Sequence, residues 1–419
     1  MSAPHPQRDF ARDVVARLRD AGFQALFAGG CVRDLLMGRE PQDYDVATAA
    51  TPEQVRNLFG KRRTLAVGAS FGVIIVLGPS PECHVEVATF RADGNYADGR
   101  RPDRVEFSDP QTDAQRRDFT INGMFFDPID ERVIDYVGGQ QDLEHHQLRA
   151  IGDPRVRFTE DKLRLLRAVR FTATLDFELE ADTARAVAAM ADQILVVSWE
   201  RITQELKKML VNRHRRRAMT LCDESGLLAN ILPELAQLRH DPLHPDWLHT
   251  LELLDELTDP TFPLALATLL HRLPIDPGTV VDIAALCRRL KLSNDETDSV
   301  VWLTRNSAAL DAPADLTLAQ LKRLLAHRDA PALVGLLTAR ARVRTTLAEP
   351  LEFVLNFLAR TPPEAINPPP LIDGADLKRL GLQPGPRFRE LLDGVRELQL
   401  NSDLTTTSDA LDWIRAQLT

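Results

Sequence analysis

"LFAGGCVRDLLMGREPQDYDVAT", Leu26–Thr48, decides how this chain is read. An apolar run enters the Gly29-Gly30 pair, a short helical segment carrying Arg33 follows, and "DYDVAT" reads as a second strand. Two carboxylates at i and i+2 on a strand share one face, so Asp43 and Asp45 are placed to hold one or two divalent cations between them. Such ions orient a triphosphate and activate a hydroxyl for in-line attack on its α-phosphorus. Gly29 and Gly30 let backbone N–H groups approach an anion where the helix begins, and Arg33, one turn in, adds a cationic contact. On its own, a DxD is an ordinary solvated strand end; the glycine turn beside it gives the pair a chemical reading.

Further along, Glu86 in "HVEVATFR" offers a third carboxylate on a neighbouring strand, or is an ordinary exposed strand residue. "RRDFTINGM" sets Arg117, Asp118 and Asn122 around a hydrophobic turn. These three serve a nucleotide's ribose and phosphates or form a helix-terminal salt bridge. In "EDKLRLLRAVRF", Asp161 and Arg164 lie three apart on one helix face, and Arg167 and Arg170 continue the stripe. One reading is a helix ion pair of about 0.2–0.5 kcal/mol. The sharper one is base recognition: a carboxylate accepts from an exocyclic amine and a guanidinium donates to ring acceptors, matching the Watson–Crick edges of C and A. U and G present a carbonyl where the amine belongs, and the carboxylate repels it.

The 419 residues suggest more than one domain, and 44% hydrophobic with 27% charged residues is the balance of a globular protein. The longest apolar run, "GVIIVLG" from Gly72, is of strand length, and the first fifteen residues lack a signal-type apolar stretch. A cytoplasmic protein without membrane partners is expected. Four scattered cysteines, Cys31, Cys83, Cys222 and Cys287, form no CxxC and are expected to be buried free thiols. The net charge of −10 argues against nucleic acid as a whole-chain property. Against it stands "KKMLVNRHRRR", Lys207–Arg217, which is either a solvated helix face or a local basic stripe. Short strands mix with helices to about residue 150, including a helix opened by Thr51-Pro52. Helical periodicity takes over thereafter, a change from α/β to all-α.

Taken in order, "AGGCVRDLLMGREPQDYDVAT", "VEVATFRADGNYADGRRPDRVEF", "RRDFTING", "IGDPRVRFTEDKLRLLRAVRF" and "ERITQELKKML" resemble the successive motifs of the class II tRNA nucleotidyltransferase and bacterial poly(A) polymerase family. The resemblance implies an α/β head of polymerase-β-like nucleotidyltransferase type over residues 1–150, then an elongated all-α part. That part divides into a neck over 151–235, a body over 236–365 with a degenerate HD-like region, and a tail over 366–419. It also implies roles: Asp43 and Asp45 as metal ligands for Mg²⁺, with Mn²⁺ an alternative, beside Glu86. Gly29, Gly30 and Arg33 fall to the triphosphate, and Arg117, Asp118 and Asn122 to the nucleotide. Asp161 and Arg164 become the base-reading pair, with Arg167 and Arg170 as further nucleotide contacts. The implied partners are tRNA, CTP and ATP, with no DNA.

Two features depart from the family pattern. Gly123 replaces the usual Ala and is expected to loosen its turn. In the HD-like region, His249 and His271 stand where metal-binding histidines belong, but Arg272 follows His271 in place of the carboxylate, which is expected to retire any metal site. Within the family, the Gly-containing segment Arg91–Phe107 resembles the loop with which full CCA enzymes switch from C to A, and the chain ends without a strongly basic extension. CCA addition to tRNA is the expected activity. A-only addition, CC-only addition and poly(A) synthesis remain alternatives, and a non-catalytic RNA-binding protein is the reading from another class.

Overall fold

The protein is described by a computed structural model covering residues 6–68, 72–80, 83–93, 105–238, 245–273 and 282–418. It divides into two compact units, Met1–Met209 with Arg217–Pro233, and Leu210–Arg216 with Glu234–Thr419.

The first unit is built on a seven-stranded mixed sheet. Its strands are β1 (Ala25–Ala28), β2 (Asp45–Thr48), β3 (Thr64–Gly68), β4 (Val73–Leu77), β5 (His84–Thr89), β8 (Phe125–Asp127) and β9 (Arg132–Ile134), in the order β3-β4-β5-β2-β1-β8-β9. Between β5 and β8 in the chain, β6 (Arg91–Asp93) and β7 (Val105–Phe107) form a separate antiparallel ribbon. Only β2 and β5 run parallel in the large sheet, and their register sets Asp45 beside Glu86. Alternation decides the faces: Val85 and Val87 of β5 are buried while His84 and Glu86 are exposed. Leu26, Ala28, Ala47, Phe90, Ala114 and Phe125 form a core cluster in this unit.

Helices flank and extend the sheet where the sequence supplies caps. Thr51 accepts from Gln54 N–H and the Gln54 side chain returns to the Thr51 N–H, a capping box with Pro52 in the first turn. Asp153 caps the helix Pro154–Glu160 by accepting from the Arg155 N–H, and Leu163–Leu175 follows after a break at Asp161-Lys162. The second unit is helical throughout its described residues, from Pro245–Glu256 to Thr407–Ala416. Near its end Ile372, Leu377, Leu391, Val395, Ala410 and Ile414 form a core cluster. All four cysteines are buried, and none is in a disulfide. No helix among the described residues is long and apolar enough to cross a membrane.

Several expectations change here. Asp43 is not on the strand: β2 starts at Asp45, and Asp43 sits in the bend before it. The alternation nevertheless holds through the bend, with Tyr44 1% exposed and the two aspartates on the open side. Asp161 and Arg164 do not share a helix, because Asp161 takes an extended conformation (φ −144°, ψ 106°) between two helices. Nor does Gly123 loosen its turn. A Cβ there would lie 2.7 Å from Val137 Cγ2 and 2.9 Å from Ile151 Cδ1, so neighbouring side chains have closed over the glycine. Most of the Arg91–Phe107 loop, including Gly94 and Gly99, lies outside the described residues.

Candidate active site

One cavity of about 490 Å³ in the first unit gathers most of the predicted residues. Gly29, Gly30, Arg33 and Asp45 line it from the glycine turn and β2; Arg116, Arg117, Asp118 and Asn122 from the segment that follows the helix Pro110–Gln115; Asp161, Leu163, Arg164, Arg167 and Phe171 from the helix break onward. Arg201, on the helix Trp199–Leu210, completes it. Six arginines against three aspartates make a cationic chamber in an acidic chain, which suits a triphosphate. Asp43, Glu86 and Arg170 do not line it.

The glycine turn is conformationally demanding. Gly29 has φ 75°, and a Cβ there would meet Arg117 Nη1 at 3.1 Å. Its own N–H donates to Met124 O, so the first-turn N–H groups left for an anion begin at Gly30. Arg33 is 9% exposed and fixed by Asp34 and by Asn122, whose Oδ1 accepts from its Nη1 at 2.8 Å. Asn122 in turn donates to Asp118 at 3.1 Å, and Asp118 receives Arg167 at 2.9 and 2.6 Å. Burial alone would raise Asp118, but the Arg167 guanidinium holds its pKa down at about 2. Asp118 and Asn122 thus act on the arginines around them. Asp113, which sequence reading missed, does likewise: buried at 1% exposure, it grips Arg116 and Arg117 together. Despite its burial these two cations keep it below the usual carboxylate range.

Around the helix break the carboxylates and guanidiniums pair crosswise. Arg164 Nη1 donates to Glu160 Oε2 at 2.6 Å and to Arg157 O at 2.9 Å, while Nη2 donates to Arg116 O at 3.0 Å. Asp161 pairs with Arg201 at 3.1 and 2.7 Å and accepts from Leu163 N–H at 3.0 Å. Asp161 and Arg164 therefore face one cavity without neutralising each other. Arg170 is engaged elsewhere, paired with Glu205 and lying 3.9 Å over the Phe171 ring. Glu160, Arg201 and Glu205 could be noticed in sequence only as ordinary helix charges; their partners are 4 to 40 positions away.

The carboxylate end is electrostatically unbalanced. Although Asp45 is accessible, surrounding protein atoms, then Glu86 and Asp43, raise its pKa to about 6 against the opposing pull of Arg117. Among the described residues no ion pair forms on Asp43, Asp45 or Glu86, and no three His, Cys, Asp or Glu side chains close into a metal cage. An oxygen donor set of this kind fits a divalent cation whose remaining ligands are waters and substrate phosphates.

In the second unit, His249 and His271 approach with ring centroids 6.2 Å apart, Arg272 lies 3.5 Å from Asp246, and His271 Nδ1 is 2.7 Å from Thr268 O.

Residues 25–149 match the family described as "Poly A polymerase head domain", and residues 176–238 match "Probable RNA and SrmB- binding site of polymerase A". Over 415 residues the chain is 33% identical to the CCA-adding enzyme of Lactobacillus helveticus (strain DPC 4571), covering 96% of this chain and 95% of that one. The chain belongs to the CCA-adding enzyme family. A second family member, the CCA-adding enzyme of Lactococcus lactis subsp. lactis (strain IL1403), is 42% identical over 227 residues, 54% of this chain and 56% of that enzyme. The crystal structure of the Bacillus stearothermophilus CCA-adding enzyme in complex with CTP superposes with a TM-score of 0.78 at 27% identity, covering 99% of each chain.

Proposed function

We propose that this CCA-adding family member transfers CMP and then AMP from CTP and ATP to the 3′ end of tRNA, building or repairing the CCA terminus without a nucleic-acid template. The observation that carries the reading is the single cavity in which Asp45 and the Gly30–Arg33 turn share walls with Asp161 and Arg164. A chamber with phosphate chemistry at one end and a base-reading carboxylate at the other takes a whole nucleoside triphosphate.

The tRNA 3′ oxygen bonds to the α-phosphorus, the bond between the α-phosphorus and the bridging oxygen breaks, and pyrophosphate leaves with its charge facing Arg33 and Arg117. Asp43 and Asp45 hold a divalent cation, Mg²⁺ by the hardness of an all-oxygen set, with Glu86 at the adjacent strand position as a third carboxylate. When bound, such an ion supplies Lewis-acid polarisation of the α-phosphate and acidifies the attacking hydroxyl. Asp161 accepts from the amine of C or A while Arg164 donates to ring acceptors. U and G meet a carbonyl-to-carboxylate repulsion. The neck, body and tail segments over 151–235, 236–365 and 366–419 carry the tRNA, and the reaction belongs in the cytoplasm with its substrates.

The test is incorporation of labelled C and A by Asp43→Ala and Asp45→Ala, with tRNA binding measured in parallel. Loss of both nucleotides with binding retained supports the assignment. Near-normal turnover in either variant sinks it.

A further inference from the structure

Phe171, on the helix Leu163–Leu175, lines the cavity, and neither the phosphate chemistry nor the base reading above gives its ring a use. Three guanidiniums gather on that ring: Arg170 lies 3.9 Å from the centroid, Arg167 5.0 Å and Arg33 5.4 Å. Arg167 and Arg170 come from the same helix as Phe171, whereas Arg33 comes from the helix Gly30–Leu36 that opens at the glycine turn. The ring is itself held, because the fully buried Phe119 meets it in a T-shaped contact at 5.8 Å.

These contacts close a circuit. Arg33 Nη1 donates to Asn122 at 2.8 Å, Asn122 donates to Asp118 at 3.1 Å, Asp118 accepts from Arg167 at 2.9 and 2.6 Å, and Arg167 meets the same ring as Arg33. Asp34 lies 2.8 Å from Arg33 Nε and 2.7 Å from Nη2, so one hydrogen on each terminal nitrogen stays open for a phosphate oxygen. Like charges repel, and cations gathered at one place need an attraction that does not consume those hydrogens. A carboxylate at position 171 would draw the guanidiniums and accept their N–H groups; a leucine would fill the space and draw nothing. The negative face of an aromatic ring attracts a cation and leaves the N–H fork free.

We propose that Phe171 is a positioning residue for the triphosphate. Through the charge distribution of its ring, directly and by way of Arg167, Asp118 and Asn122, it sets Arg33 against the phosphates. The role rests on the assignment of Arg33 to the triphosphate. Because CTP and ATP share that group, Phe171 acts on both alike and leaves the choice of base untouched.

The experiment replaces Phe171 in the full chain by phenylalanine analogues carrying one, two and three ring fluorines, alongside wild type, Phe171→Leu and Arg33→Ala. Fluorine withdraws electron density from the ring face and barely changes its shape, so packing is kept while the attraction weakens. Equilibrium dialysis gives the affinities for CTP, ATP and CMP, and incorporation on a tRNA ending at the discriminator base gives the preference for CTP over UTP. Affinity for CTP and ATP is expected to fall stepwise with fluorine number, by about ten-fold in all, as loss of a desolvated cation–π contact does. CMP affinity and the preference for CTP over UTP stay at the wild-type level.

A flat fluorine series overturns the role, and with Phe171→Leu impaired it makes the ring a filler only. An equal loss for CMP and CTP, or a changed preference for CTP over UTP, overturns the assignment to the phosphates. Arg33→Ala with an unaltered ratio of CTP to CMP affinity overturns the reading of Arg33 and this role with it. A ratio that falls in Arg33→Ala and holds across the fluorine series removes Phe171 alone. If Phe171→Leu fails to fold, the fluorine series decides by the same comparison.

Discussion

Asp45 stands at the start of β2 with Glu86 in register on β5 and Asp43 two residues earlier, three carboxylates near one another with no ion pair among the described residues. Burial, and then the charges of Glu86 and Asp43, raise the pKa of Asp45 to about 6, and on the proposed function a bound divalent cation would relieve this. Removing either Asp43 or Asp45 should cost several kcal/mol of transition-state stabilisation, on the order of a thousand-fold in rate for C and A alike. Single-turnover rates check this. Gly123 makes a different residue-scale prediction. Gly123→Ala forces a Cβ against Val137 and Ile151, and should destabilise the first unit by about 1–3 kcal/mol. Urea titration measures it, and unchanged stability would mean that those side chains move aside freely. That Asp45, Asp161 and Arg164 are to be read together was legible in sequence because each motif lists its residues contiguously, and the fold sets all three around one cavity. The closure over Gly123 was not, since Val137 and Ile151 come from segments that only the fold brings there.

At the scale of elements, the break at Asp161-Lys162 matters most. Periodicity through "EDKLRLLRAVRF" reads as one helix, and a local pattern cannot show that Asp161 leaves it and accepts from the Leu163 N–H that opens the next helix. The same limit hid the clamps: Glu160, Arg201 and Glu205 meet their partners only after three helices pack. By contrast the Thr51 cap and the strand β5 were readable, because side-chain capping and period-2 alternation are local. The ribbon β6–β7 brackets the predicted switching loop. Adding A after two C residues asks the same Asp161 and Arg164 edge to take a larger purine, and packed helices do not move cheaply. Deleting Gly94–Gly99 should therefore leave CC addition nearly normal and remove the terminal A, read on a sequencing gel. Equal loss of C and A would assign the loop to support of the whole head.

For the whole molecule, the net charge of −10 conceals where the cations are used. The run Lys207–Arg217 is not a free basic stripe: Arg215 is 3% exposed and donates to the carbonyls of Leu210, Leu254 and Leu257, and Arg217 pairs with Asp176 and Glu178. In the second unit His271 is held neutral by burial and by the nearby charges of Arg272 and Arg340, with His249 beside it, and its pKa falls to about 4. The unfolded chain, with the ordinary value near 6.5, binds more protons between those two values. Stability is thus full above about pH 6.5 and drains as pH falls toward 4, by up to about 3 kcal/mol. His271→Gln should flatten that loss in urea titrations at pH 7.5 and 5; an equal loss in both proteins would contradict it. The central claim, that one cavity serves C and A in turn on tRNA, is tested most directly by sequencing the 3′ ends made from a transcript ending at its discriminator base with all four nucleotides present. The account predicts the single product CCA, while ends that stop at CC, gain only A, grow into poly(A) or stay unchanged would contradict it.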